Sequence, residues 1–590
     1  MENEKELEKK EMEMKQRHTM SHVLAAAVKE LFDEKIEFGI GPAIDNGFYY
    51  DFDMEHAINQ EDFEKIEAKM REIIEQNLDM TRQELSKEQA LEMFKDQKYK
   101  LELINDLPEG SVISIYSLGD KFVDLCKGPH VENTKYLRNF TFKINRVSGA
   151  YWRGSEKNKM MQRVYVYGFA NKEDYKEHIK LVQEALERDH RKLGKELGIF
   201  MFNDLVGKGL PMWLPNGFTL RRGLNDYIMD KEINLGYKHV MTPSIGSVDL
   251  YKTSGHWDHY HEDMFPVMER DEEAYVLRPM NCPHHMMMFK NSLHSYKDLP
   301  LRIAEIANDF RFEASGSLCG IERVRSFTQN DSHIFCTPDQ IKSEVESVIK
   351  LILDVYKDFG FKDYKFRLSL RDPENVEKYF GNDALWEKSE QELREILKET
   401  GAEFYEAKGE AAFYGPKIDV NVMSAIGHEV TLSTVQLDYQ LPEKFELEYV
   451  DENNQKVRPV VIHRAILGSL ERFVAFLIEE TKGVFPLWLS PVQVKVMNIA
   501  ESSEEYACKV YEKLAGLGVR VEKDIRNEKI SYKIREATKQ KIPYILVVGD
   551  KEKENNQVSV RKRGSQESTV LDLDAFIDEL LREIKEKISN

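Results

Sequence analysis

The sequence predicts an α+β multidomain protein, and three observations carry that prediction. The chain has 590 residues, more than one hydrophobic core serves, so several domains are expected. Its middle contains the segments LRIAEIANDFRFE and SFTQNDSHIFC, whose alternating pattern suits antiparallel strands with one buried face. Its last part alternates strand-like and helix-like segments, which implies a small sheet with helices on its faces.

Taken in order, residues 1–170 open with a helical pattern at His18–Phe32 and run through mixed strands to YWRGSEKNKMMQRVYVYGF. Residues 171–197 are charged and read as a linker helix. Residues 198–485 begin with FTLRRGLNDYIMDKEINLGY, where Leu220, Leu224, Tyr227 and Ile228 share one helical face. A short strand, His239–Thr242, is predicted up to Pro243, and a helix, Arg464–Glu480, closes this block. Residues 486–590 follow PLWLSP: VQVKVMNIA is a strand, Ser503–Leu517 a helix, VRVEKD a strand, Ile530–Lys541 a helix and PYILVVG a strand.

Hydrophobic residues at 41% and charged residues at 32% place the chain among ordinary globular proteins. No run of 18 apolar residues is present, which excludes a membrane-spanning helix. The start, MENEKELEKKEMEMK, lacks the apolar stretch of a signal peptide. Five scattered cysteines (Cys126, Cys282, Cys319, Cys336, Cys508) fit a reducing compartment, and a cytoplasmic protein is expected. The net charge of −20 does not exclude nucleic acid, because binding needs only a local basic patch. Such a patch is available in Arg526, Lys529, Lys533, Arg535, Lys539 and Lys541, although such a run is more often a solvated helix face.

Three signatures follow one another in residues 198–485. The first is the helix–strand unit ending at Pro243. The second is Arg311-Phe312-Glu313, followed after a loop by Arg323, Arg325 and Phe327. The third is GSLERF, with Gly468 and Arg472. Alone, an RxE or a GxxxR is too common to mean anything. In this order they resemble the three motifs of class II aminoacyl-tRNA synthetases, which implies an antiparallel-sheet catalytic core that activates a carboxylate with ATP. That chemistry needs cations on the phosphates, since positioning and charge neutralisation supply most of the catalysis. The resemblance puts Arg311 on the α-phosphate, Arg472 on the γ-phosphate, Glu313 on the adenine amino group and Phe327 against its ring. Arg323 and Gln436 complete the ATP set, Lys417 joins the catalytic residues, and Mg²⁺ accompanies the nucleotide. The class also implies a homodimer built on the first motif.

Cys282 in RPMNCP, His333 in TQNDSHIFC and His463 in VIHRAILGS have no metal-ligand spacing among them. Their flanking strings resemble the zinc-ligand segments of the threonyl-tRNA synthetases, implying one Zn²⁺ per subunit. Valine and threonine are nearly isosteric, so an apolar pocket separates them weakly. Three protein ligands leave a zinc ion open positions for an amino group and a hydroxyl, which valine lacks. By the same resemblance Gln329, Asp331 and Tyr414 bind L-threonine. The chain departs from the family pattern at His284, Cys319 and Thr431.

A hydroxyl-reading site admits serine, so a second, hydrolytic sieve is expected. His18 and His22 are four apart on one helical face, and Cys126 and His130 sit in DLCKGPH. Two histidines with a Cys/His pair could bind zinc. HxxxH with CxxxH also resembles the editing domain of threonyl- and alanyl-tRNA synthetases, which favours metal-free hydrolysis of Ser-tRNA(Thr), with Lys100 and Asp124 as further members. An alanyl-type enzyme is disfavoured because this domain precedes the catalytic block. A non-catalytic, tRNA-binding relative is disfavoured because the catalytic residues are present. The C-terminal block resembles the α/β anticodon-binding domain of the class, with Asn527, Glu552 and Arg561 at base-reading positions. Many members begin with a further small ubiquitin-like domain, and this chain is expected to be a form lacking it. The implied activity is ATP-dependent ligation of L-threonine to tRNA(Thr) through a threonyl-adenylate.

Overall fold

The computed structural model describes residues 2–587 apart from 33–34, 109, 376–377, 380–382, 426 and 428. The chain divides into two compact units, residues 1–183 and 184–590.

In the first unit, helix α1 (Glu2–Leu31) buries Met20, Val23, Leu24 and Ala27 completely. It starts well before the predicted His18, because the Glu/Lys-rich opening is itself strongly helix-forming. Alongside lie the antiparallel strands β1 (Gly47–Asp53), β2 (Met80–Leu85), β3 (Ile113–Leu118), β4 (Phe122–Leu125), β5 (Thr141–Tyr151) and β6 (Met160–Phe169). Strand β6 pairs with β1 and β5, while β3 pairs with β2 and β4. Immediately after β4 the CKGPH turn doubles back. Gly128 there has φ +73°, and a Cβ on it would lie 2.5 Å from the Tyr116 hydroxyl, so only glycine fits.

The expected linker helix is two helices, α2 (Lys172–Arg188) and α3 (His190–Glu196). They break at Asp189, whose carboxylate accepts from the Arg191 amide and so restarts the helix. The boundary between the two compact units falls inside α2.

The second unit is built on an eight-stranded sheet. Helix α4 (Pro215–Asn234) precedes it and buries Leu220, Leu224, Tyr227 and Ile228, as the periodicity predicts. The strands are β7 (Lys238–His239), β8 (Leu301–Phe310), β9 (Ser326–Cys336), β10 (Tyr364–Leu370), β11 (Phe404–Lys408), β12 (Lys417–Met423), β13 (Glu429–Asp438) and β14 (Val460–Ser469). Their order is β7-β8-β9-β14-β13-β12-β10-β11, antiparallel throughout its centre. Helices α5 (Cys282–Lys290), α6 (Ile341–Phe359) and α7 (Leu470–Thr481) complete the core.

Two element assignments change. The strand predicted at His239–Thr242 is only Lys238–His239, because the Thr242 amide and hydroxyl turn to the Glu305 carboxylate at 2.9 and 2.8 Å. The helix predicted from Arg464 begins at Leu470, and Val460–Ser469 is a strand. Its Val-Val-Ile start favours a strand. Gly468, at φ +60° and with its Cβ position 2.6 Å from the Leu432 carbonyl, then turns the chain into a helix capped by Ser469.

Below the sheet, fully buried Arg464 on β14 meets fully buried Glu232 on α4 at 2.7 Å. Asn330 on β9 donates to the same carboxylate at 2.9 Å, and the Arg464 guanidinium lies 4.3 Å from the Tyr237 ring centre. The C-terminal part contains β15 (Val494–Asn498), β16 (Val521–Asp524), β17 (Tyr544–Val548), β18 (Gln557–Lys562) and β19 (Thr569–Asp572), in order β16-β15-β17-β18-β19. Its helices are α8 (Glu504–Gly516), α9 (Ile530–Lys539), α10 (Asp550–Asn555) and α11 (Leu573–Lys585). The βαβαβ order read from the sequence is present, with an antiparallel hairpin, β18–β19, added at one edge.

Arg464→Met should leave the buried Glu232 carboxylate without its guanidinium, with Asn330 and His239 as remaining partners, and cost about 3–5 kcal/mol, lowering the melting temperature of the second unit. The paired Glu232→Gln/Arg464→Met protein should recover part of that loss. Equal melting of single and double variants would sink the idea.

Candidate functional site

Register decides which side chains meet on the upper face of the large sheet. His333, His463, Gln436 and Lys417 are successive cross-strand partners on β9, β14, β13 and β12. Two residues along, Glu305, Asp331, Ala465, Thr434 and Asp419 form the neighbouring row on β8, β9, β14, β13 and β12. A spacing of two keeps both rows on the same face.

At one end of the first row, Cys282 from the start of α5 joins His333 and His463, with one ligand atom of each within 4.8 Å of the others. All three are buried, and His333 Nε2 has no hydrogen-bond partner among the described residues. His463 Nε2 lies 2.8 Å from Asp438 Oδ2. Burial pushes the Cys282 thiol and the Asp331 carboxyl well above their ordinary ranges, and the His333 imidazole well below its own. A divalent cation would reverse the first two effects by supplying the missing charge. One sulfur and two imidazole nitrogens are a suitable zinc donor set, and the unpartnered Nε2 fits that use.

Beside it opens a cleft of about 300 Å³ lined by Arg311, Glu313, Arg323, Phe327, Gln329, Lys417, Gln436 and Arg472, among others. The Arg311 guanidinium lies 5.1 Å from the Phe327 ring centre. Arg472 donates to the Glu322 carbonyl at 3.4 Å, and burial, with Arg323 and Arg311 nearby, holds its pKa below the usual value. Guanidiniums crowded in this way are suited to binding a phosphate. Lys417 Nζ is 3.0 Å from Asp419, which also accepts from Arg367 and Ser369, each at 2.8 Å. Tyr414 lines an adjoining cleft that shares Arg311, Lys417 and Gln436; its hydroxyl donates to Gln436 and its ring stacks on His463 at 5.0 Å. Asp331 is buried beside His333, 3.7 Å from its Nε2. Arg325 stacks instead on Phe312 at 4.2 Å and donates to the Glu313 carbonyl, shaping the loop.

Of the departures from the family pattern, Thr431 lines the cleft and donates to Asn421 at 2.6 Å. His284 is held to about 4 by burial and stands outside the Cys/His cluster. Cys319 lies half-buried in the loop before Arg323. Sequence reasoning missed His285, Glu305, Asp419 and Asp438. The partners of His285, Glu305 and Asp438 are 20 or more residues away, so no local pattern marks them, and Asp419 stands beside Lys417 in an alternation that any strand shows.

All six expected editing residues gather in the first unit. His18, His22, Cys126 and His130 each place a ligand atom within 4.8 Å of the others. His18 donates from Nδ1 to the Pro129 carbonyl at 3.2 Å. Thr19 spends its proton on the Lys15 carbonyl and so accepts from His130 Nδ1 at 3.2 Å. Both histidines therefore turn an Nε2 lone pair towards the Cys126 sulfur, at 3.3 and 3.2 Å, and one thiol proton cannot serve both. Burial pushes that thiol up to about 11 and depresses all three imidazoles. Behind them buried Lys100 pairs with Asp124, which also accepts from the Tyr50 hydroxyl at 2.6 Å.

The three expected base readers are spread over the C-terminal sheet domain. Asn527 is exposed in the loop between β16 and α9. Glu552 accepts from the Gly549 amide at 2.9 Å at the start of α10, and Arg561 on β18 donates to the Ser565 carbonyl at 3.1 Å. No hydrogen bond or ion pair joins the three among the described residues. In the basic run, Lys533 is buried against Asn498 at 2.8 Å and Arg526 is paired with Asp524, so neither is a free surface cation. No helix among the described residues is long and apolar enough to cross a membrane.

Comparison with known families places three matches along the chain. Residues 265–481 match the tRNA synthetase class II core domain (G, H, P, S and T), and residues 493–583 match an anticodon-binding domain. Residues 113–165 match the second additional domain of threonyl and alanyl tRNA synthetases. A threonine–tRNA ligase of Anoxybacillus flavithermus is 56% identical over 572 residues, covering 96% of this chain and 88% of its own. One of Staphylococcus carnosus is 54% identical over 573 residues, covering 97% and 88%. Among solved structures, the RNA-binding domain of threonyl-tRNA synthetase from Cryptosporidium parvum superposes with a TM-score of 0.64 at 39% identity, covering 67% of this chain and 98% of that one. A putative threonyl-tRNA synthetase from Aeropyrum pernix gives 0.60 at 28% identity, covering 68% and 97%. With this identity along nearly the whole chain, and with the sheet, cleft and Cys/His row in place, the chain belongs to the threonyl-tRNA synthetase family.

Proposed function

We propose that the chain joins L-threonine to tRNA(Thr) at the expense of ATP and hydrolyses mischarged Ser-tRNA(Thr) in its first unit. The observation that carries the synthetic half is the meeting, on one sheet face, of the arginine-lined cleft with the Cys282–His333–His463 cluster. A threonine carboxylate oxygen attacks the α-phosphorus of ATP, and the bond to pyrophosphate breaks. Arg311 neutralises charge on the α-phosphate and Arg472 on the γ-phosphate, with Mg²⁺ accompanying the nucleotide. Glu313 accepts from the adenine amino group and Phe327 packs on its ring, with Arg323 and Gln436 at the edges. Lys417, oriented by Asp419, draws the reacting carboxylate into line. A ribose hydroxyl of the tRNA terminus then attacks the acyl carbon, and AMP leaves. Cys282, His333 and His463 would hold a zinc ion, which when bound supplies open positions for an amino group and a hydroxyl. Gln329, Asp331 and Tyr414 close around the same amino acid, Asp331 accepting from its hydroxyl. The five cysteines are free, which suits work in the cytoplasm.

Serine passes that filter, and the first unit answers it. Water adds to the seryl ester carbonyl, the ester bond breaks, and a proton passes to the departing ribose oxygen. The Nε2 lone pairs of His18 and His130 can orient that water, and Asp124 and Lys100 fix the wall behind them. The buried Asp124 carboxylate is already compensated by Lys100, so it offers no spare negative charge to a cation, and this supports the metal-free reading. Asn527, Glu552 and Arg561 are proposed to read exposed anticodon bases by their polar groups.

ATP–pyrophosphate exchange should proceed with threonine, weakly with serine and hardly with valine, and Arg472→Ala should reduce it about 10²–10³-fold. No exchange with threonine would refute the synthetic reading. Purified protein should contain one zinc ion per chain, lost in Cys282→Ala and kept in Cys126→Ala. The Cys126 variant should instead lose Ser-tRNA(Thr) deacylation while retaining exchange; a second zinc, removed by that substitution, would reverse the editing proposal. A second copy of the chain is proposed to cover Phe218 and Met241, which are 61% and 92% exposed on and just after the helix–strand unit α4–β7. Sedimentation should give twice the 69.0 kDa chain mass, and a monomer at micromolar concentration would contradict it.

A further inference from the structure

We propose that His285 and Glu305, neither of them a ligand in the zinc site proposed above, determine which nitrogen of His333 is left free for the metal. The inference rests on that zinc reading and adds a hydrogen-bond relay to it. Glu305 on β8 is 3% exposed and tied on several sides. It accepts from the Thr242 amide at 2.9 Å, the Thr242 hydroxyl at 2.8 Å and the Arg278 guanidinium at 3.3 Å. The Asn281 side-chain amide adds a further contact at 3.3 Å. A carboxylate so placed can only accept. His285 on α5, fully buried, brings its Nε2 to 3.1 Å from the same carboxylate, so the proton of that ring sits on Nε2. Its Nδ1 then carries a lone pair, and it lies 2.8 Å from Nδ1 of His333. His333 must therefore donate from Nδ1, which leaves its Nε2 with a lone pair and no proton. That atom is the buried nitrogen without a hydrogen-bond partner, beside Asp331.

His463 reaches the complementary state by a shorter path. Its Nε2 is satisfied by Asp438 at 2.8 Å, so its Nδ1 is the free nitrogen. The two histidines are thus set to ligate through different nitrogens, one controlled directly by a carboxylate and one through an intervening imidazole. Partners of this kind fix the tautomer and ring orientation of ligating histidines, and losing them costs about 10–100-fold in metal affinity. A plain core histidine at position 285 would need no such polarity. Here the donors run in one direction from His333 through His285 and end on Glu305, the carboxylate that Thr242, Arg278 and Asn281 also serve.

The test compares His285→Leu, which removes the relay, with His285→Gln, which can donate to Glu305 and accept from His333. Zinc affinity is read by chelator competition on the full chain, and the absorption spectrum of the cobalt-substituted protein reports ligand geometry. His285→Leu should lose about 10–100-fold in zinc affinity, alter the cobalt spectrum and raise KM for threonine while leaving KM for ATP unchanged. His285→Gln should return affinity to within a few-fold of the parent. Should the leucine variant fail to fold, Glu305→Gln supplies the second reading, with zinc affinity expected to fall several-fold. If wild-type zinc depends on Cys282 and yet the folded variants bind it as tightly as the parent, the relay is wrong. If the wild-type chain holds no zinc that depends on Cys282, the zinc reading itself fails.

Discussion

The pairing register of β8, β9, β14 and β13 is the constraint on which the rest of this molecule depends. Because side chains alternate faces, a slip of one residue on β9 would carry Gln329, Asp331 and His333 to the opposite face together. The antiparallel hydrogen bonds from Leu301↔Phe335 to Phe310↔Ser326 hold that pairing over the full length of β8. Against β14 the step from Gln329 to Asp331 spans Ser469 to Ala465, so the extra residues lie on β14 and β9 keeps its alternation beside the cleft.

What holds the register is the chemistry of the lower face. There Ile462, Ile466, Val435 and Val420 meet Val345, Val348 and Ile352 of α6 in one continuous core. Into that core the chain places one buried ion pair, Glu232–Arg464, completed by Asn330 and Tyr237. A buried pair of this sort is poor evidence for stability but a strong discriminator between registers, since any other pairing leaves a charge uncompensated. The upper face can consequently be polar, carrying buried carboxylates, imidazoles and guanidiniums whose cost is borne by the rigid layer beneath.

The two proposed sites solve one problem in two ways. A site that reads a hydroxyl rejects valine for lack of a group and cannot reject serine for lack of a methyl. Hydrogen-bonding sites discriminate strongly against a missing partner, whereas a smaller competitor always fits. The first unit supplies imidazole lone pairs around a neutral thiol, the second supplies guanidiniums around a cleft, and the difference in charge follows the difference in substrate. An ester needs a water held in place, and a triphosphate needs positive charge.

Much of this was legible in the sequence where the signal was local. The buried stripe of α4, the paired strands β8 and β9, the βαβαβ order of the C-terminal domain and the HxxxH face of α1 are all short-range patterns of burial. Flanking strings singled out Cys282, His333 and His463, which the fold brings together, even though their spacing carries no metal signature. Local patterning failed at Arg464–Ser469, where an apolar run suits a strand or a helix equally and pairing with β9 and β13 decides. It also missed His285 and Glu305 behind His333, Asp438 behind His463, and Asp419 beside Lys417. The sequence by itself determined which chemical groups are available and which stretches are amphipathic. Only the tertiary structure decided which of those groups meet, because a hydrogen bond between residues dozens of positions apart leaves no trace in the order of the chain.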